Sequence, residues 1–165
     1  MAQRLGDDAT LQALGIGVGT LTGLLLGTRW LLDLLLGPTF GLLSDRWGQA
    51  NLAVLLAGLL FSGLVGMSTL PGLAAVLSLL LVFICDAGLH VVLNAAASGE
   101  ARHSSRPHLF VGVYTTTSDA GSALGPLLAF SVGGRLGFSS MYLVFGLLLV
   151  LFVFRYRFYA VASDR

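Results

Sequence analysis

The sequence has no lysine, one cysteine and few charges of either sign. Charged residues occupy 10% of its 165 positions, against roughly 25% in an average soluble domain. With 56% hydrophobic residues and a mean hydropathy of +0.89, a water-soluble domain of this length would expose more apolar surface than stays dispersed. The lone Cys85 lies in an apolar stretch, which excludes an intrachain disulfide and reads as a small packed residue. No basic run is long enough for nucleic acid. A His-Glu-x-x-His motif, a Gly-x-Ser-x-Gly elbow and a phosphate-binding glycine loop are all absent, so a metalloprotease, a serine hydrolase and an ATP-driven pump gain no support. No enzymatic activity, metal or cofactor is expected. Glu100, His103 and His108, interrupted by Pro107, read as solvated loop residues. Met1–Thr10 sets Arg4 against Asp7 and Asp8, and no small-residue cleavage site follows. The first segment is therefore expected to remain in the membrane rather than be removed as a signal peptide.

What the sequence does have is long apolar runs. A membrane-spanning helix needs about 20 mostly apolar residues, and five such segments are expected: Gln12–Leu43, Asn51–Thr69, Gly72–Ala97, His108–Val132 and Phe138–Phe158. The breaks carry turn chemistry, at Asp45–Gly48, Pro71-Gly72, Ser104–Pro107 and Gly133-Gly134. The runs are continuous and rich in Leu, Ala and Gly, unlike the alternating ten-residue strands of a barrel. The fold class is thus all-α membrane protein. Residues 1–11 form an extracytoplasmic segment, 12–159 a five-helix transmembrane domain and 160–165 a cytoplasmic tail. An odd number of spans puts Arg46, Arg102, Arg106, Arg155, Arg157 and Arg165 on one side and only Arg4 and Arg135 on the other. The excess marks the cytoplasmic side, so the C-terminus is expected inside.

Charges inside such segments are informative, because one at mid-helix opposes insertion by about 2.5–3.5 kcal/mol while a leucine favours it by only about 0.3–0.6. Arg29 and Asp33 lie four apart on the first helix and are expected to pair. Asp86, His90 and Asn94 follow an i, i+4, i+8 spacing, which draws a polar stripe on one face of the third helix. A carboxylate without a partner in lipid takes up a proton, so Asp86 is a candidate proton carrier. His90 and Asn94 read equally well as bonds to neighbouring helices. The fourth helix holds the run Tyr114–Asp119, polar on every face. The second and fifth carry no ionisable group except Tyr142 between Asn51 and Phe154. They are expected at the periphery, with the other three inside. Gly15, Gly19, Gly23 and Gly27 recur every fourth residue, a groove that lets another helix approach closely.

Gly41-Leu42-Leu43-Ser44-Asp45-Arg46-Trp47-Gly48 resembles the G-x-L-a-D-r-x-G loop of the major facilitator superfamily, which joins the second and third helices of each six-helix half. Arg29–Asp33 and Gly37-Pro38 just before it also resemble bacterial members. Asp119-Ala120-Gly121-Ser122-Ala123-Leu124-Gly125-Pro126 is similar to the D-x-G-x-x-x-G-P element of a half's fifth helix. Gln49 and Ala50 stand where the fullest loop motif has basic residues, a departure that points away from the N-terminal half. The resemblance implies a partial half-bundle, helices eight to twelve in preference to helices two to six of a twelve-helix secondary transporter that moves a small solute by alternating access. It implies a conformational role for Gly41, Asp45, Arg46, Gly48, Gly121, Gly125 and Pro126. It places Asp86, His90 and Asn94 on the central cavity and puts the second and fifth helices outside. Arg29, Asp33, Asp86, His90, Asn94 and Asp119 are the candidate substrate or proton pathway. Partners are the lipid bilayer, the solute, and either the missing half or a second copy. The competing reading is a membrane scaffold that kept the helices and lost transport.

Overall fold

The computed structural model describes residues 18–163. They form five helices in succession: α1 (Val18–Trp47), α2 (Gln49–Thr69), α3 (Gly72–His103), α4 (Pro107–Leu136) and α5 (Phe138–Ser163). No strand occurs among the described residues. At 1.5 Å per residue, the 30 residues of α1 and 32 of α3 extend about 45 and 48 Å, well beyond a hydrocarbon layer of about 30 Å. Three helices are long and apolar enough to cross a membrane, over Gln49–Thr69, Gly72–His103 and Phe138–Tyr159. α1 and α4 are as long, but Arg29 and Asp33 interrupt one and the 114–119 run interrupts the other. The helices outrun the expected spans at several ends. α3 continues past Ala97 to His103, and α5 continues past residue 159, into the stretch expected as a tail. Residues 1–17, including Arg4 and Gly15, and residues 164–165 lie outside the described part.

The junctions show why the chain turns where it does. α1 and α2 are joined by Gly48 alone, at φ +80°. Its N–H donates to the Ser44 carbonyl at 3.0 Å, and its own carbonyl accepts from Leu52 N–H at 3.1 Å, so one residue ends one helix and begins the next. A side chain at this positive φ with an extended ψ of 138° is strained, so the position suits glycine. Between α2 and α3 the turn is Leu70, Pro71 and Gly72, the last at φ +57°. Ser104–Arg106 separates α3 from α4, whose first residue is Pro107, where the missing N–H takes nothing from the helix. The fourth break differs from expectation. α4 runs through Gly133-Gly134 and stops at Gly137, φ +83°, whose N–H donates to Gly133 O at 3.0 Å. Gly133 serves packing instead, since a Cβ there would lie 2.8 Å from the Phe138 ring.

The core is built by α2, α3 and α5. Leu52, Ala53, Leu56, Ala57 and Leu60 of α2 meet Cys85, Leu89 and Val92 of α3 and Val153 of α5, with Phe40 and Leu43 of α1 packed alongside. Cys85 is buried and free, as a small core residue. This order reverses one expectation in part: α2, expected at the periphery, packs at the centre with α3, while α5 contributes Val153 and is otherwise largely exposed, as are α4 and most of α1. In lipid, apolarity does not sort core from periphery, because the solvent is as apolar as leucine and close packing decides. The glycine groove of α1 meets no helix among the described residues, and the close approaches fall elsewhere. Nothing lies within 4 Å of a Cβ built at Gly19, Gly23 or Gly27, whereas one at Gly63, Gly66, Gly88 or Gly146 would come within 3 Å of a neighbouring helix's side chain. At Gly88 the obstacles are Phe40 at 2.8 Å and Leu56 at 2.9 Å, so three helices converge on a hydrogen.

Candidate functional site

Asp86 falls near the middle of α3, a helix long and apolar enough to cross a membrane. Its carboxylate is not alone. Arg29 Nη2 donates to Asp86 Oδ2 at 2.8 Å, tying α1 to α3. Two expectations are corrected at once: Arg29 pairs across helices rather than with Asp33, and Asp86 is a paired carboxylate rather than a lone one. Nearness in sequence does not decide the pairing: the cross-helix contact is one short charge-assisted hydrogen bond. Asp33, His90 and Asp119 make no hydrogen bond or ion pair among the described residues. The side chains of the pair remain 46% and 43% exposed, so the site opens outward from the five helices.

About two turns further along α3, Asn94 Oδ1 accepts from Tyr114 Oη at 2.9 Å, which fixes α4 to the same polar stripe. His90, between the two contacts, is exposed. The polar run on α4 is less costly than its composition suggests. Thr115 Oγ1 donates to the carbonyls of Val111 and Gly112, both at 3.0 Å, and Thr117 Oγ1 donates to Val113 O at 2.8 Å. Hydroxyls returned to the preceding turn need no outside partner. Open grooves of about 450 and 300 Å³ flank this end of α4, one along Tyr114 and Thr117, the other along Gly112 and Thr116. Asp119 is exposed on α4, away from the Arg29–Asp86 pair's hydrogen bonds.

The loop motif occupies the reversal between α1 and α2. Gly48 makes the turn, Asp45 and Arg46 are exposed beside it, and Gly41 has open space where a Cβ would be. Sequence reasoning passed over Ser44, which is 2% exposed with its Oγ unpartnered; its small size next to the reversal was the available signal. The second motif lies on α4. Gly121 and Gly125 are exposed with nothing within 4 Å of a built Cβ, and Pro126 stands inside the helix, where it leaves the Ser122 carbonyl without its usual donor. Comparison with family profiles, with curated proteins and with solved structures finds no match to the chain. What the fold and the site define is an all-helical protein with three membrane-length helices and a charge pair between two of its helices.

Proposed function

We propose that the chain is part of a secondary active transporter of the major facilitator type, moving a small solute by alternating access with proton coupling. The supporting observation is the Arg29–Asp86 pair at the middle of α3, because intramembrane charges are costly and mark ion or substrate paths. The two motifs add to it, one at the α1–α2 reversal and one on α4. In this reading all five helices cross the bilayer as helices eight to twelve. The exposed faces of α1 and α4 then meet helices supplied by a matching half, since alternating access needs two repeats around the site. Arginine asymmetry sets the C-terminus in the cytoplasm of a cell membrane.

The test uses a complete transporter in which the matching helices are restored. Asp86→Asn keeps shape but cannot titrate, and should abolish accumulation up a gradient while exchange stays measurable. The Arg29→Gln/Asp86→Asn double variant removes the charge left behind and controls for folding. Normal accumulation by Asp86→Asn would overturn the proton role of Asp86 and move attention to Asp119. His90→Ala should shift the pH dependence of transport without removing it. A second reading, a membrane scaffold, is favoured by the openness of the site, whose charged pair is half-exposed within these five helices.

A further inference from the structure

The last residues of the Phe138–Tyr159 span carry an arrangement that transport does not use. Arg155 Nη2 donates to Tyr159 Oη at 2.9 Å, and the guanidinium carbon sits 5.3 Å from the centroid of the same ring. Beside them Phe154 and Phe158 meet edge to face at 5.0 Å. Leu151, Phe154, Arg155, Phe158 and Tyr159 line an open groove of about 500 Å³. They recur at helical spacing on the side of α5 turned away from buried Val153.

We propose that this groove binds an anionic phospholipid, its phosphate on Arg155 and Tyr159 and an acyl chain along Phe158, Phe154 and Leu151. The position is right, because the end of a span is where aromatic rings and snorkelling arginines meet headgroups. Leu151 lies about 12 Å deeper along the helix than Tyr159, so the groove grades from charged to apolar as a lipid does. Arg155 spends one of its five N–H donors on Tyr159 and keeps the rest for phosphate oxygens. Tyr159, accepting from Arg155, still has its own O–H to donate. No Asp or Glu occurs anywhere in α5, so nothing on the helix competes for the guanidinium. A zwitterionic lipid would bring its own cation against Arg155, whereas an anionic headgroup does not. Free phosphate would leave the apolar part of the groove, along Phe158, Phe154 and Leu151, empty. The site stands whether or not the chain transports a solute.

The purified full chain should be equilibrated in micelles containing equal amounts of phosphatidylglycerol and phosphatidylcholine, and the retained lipid weighed by native mass spectrometry. Phosphatidylglycerol should be retained about fivefold over phosphatidylcholine, the factor carried by one arginine near an anionic surface. Arg155→Gln should erase the preference, Arg155→Lys should keep part of it, and Tyr159→Phe should weaken it. Arg157→Gln should leave it unchanged, because two residues on a helix face opposite ways. Equal loss in Arg157→Gln and Arg155→Gln would mean diffuse attraction and overturn the site. So would an Arg155→Gln variant that keeps the preference while cross-linking shows fewer dimers, since the face would then be a contact between copies.

Discussion

Arg29 has two carboxylates at different distances in sequence: Asp33, one turn along its own helix, and Asp86, 57 residues away. It binds the distant one. Neutralising either member leaves the other as a bare charge, so each single change should destabilise more than the pair of changes implies. Arg29→Gln and Asp86→Asn should therefore be less than additive, with a coupling of about 0.5–3 kcal/mol. Unfolding of the two single variants and the double variant in detergent measures it. Strict additivity would mean that the contact contributes nothing to the fold. The partner was not legible in the sequence because a spacing rule sees only one helix, and the i+4 neighbour is the pair it finds. Asp86 and Arg29 were both legible as exceptional, since a charge in an apolar run is visible without any fold.

At the scale of helices, the turn residues carried most of the readable information. Gly48, Pro71-Gly72 and Pro107 mark boundaries in the sequence and make them in the structure. Among Gly133, Gly134 and Gly137 the sequence offers several breaks, and the ring of Phe138 over Gly133 selects the last. That choice depends on packing and leaves no trace in composition. The same holds for the glycine stripe of α1, which packs against nothing described, while Gly88 holds three helices together. Two substitutions test these roles. Gly48→Ala, forced to φ +80°, should lower stability by about 1–3 kcal/mol, read as an earlier thermal transition. Gly88→Val meets Phe40 and Leu56, and should lower it by about 1–3 kcal/mol through overpacking. If Gly88→Val is neutral, α1 does not lie against α3 as described.

For the molecule as a whole, alternation of the helices brings Arg46, Arg102, Arg106, Arg155 and Arg157 to one end. In a Cys85→Ala background, single cysteines placed at Ser104 should resist a membrane-impermeant reagent in intact cells, while ones at Leu70 should react. Labelling of Ser104 from outside would reverse the orientation. The distance along the chain between Arg29 and Asp86 also has a consequence for synthesis. Chains emerge at about 5–20 residues per second, so Asp86 follows Arg29 by about 3–11 s, the 57-residue separation divided by that rate. The ribosome therefore delivers a guanidinium to the translocon before its final counterion exists. During that interval Asp33 is the carboxylate one turn away, and the single-residue reversal at Gly48 lets the strongly apolar α2 enter with α1 as a hairpin. Among the described residues Asp33 makes no hydrogen bond or ion pair, so pairing with Arg29 before α3 is made would cost it no contact there.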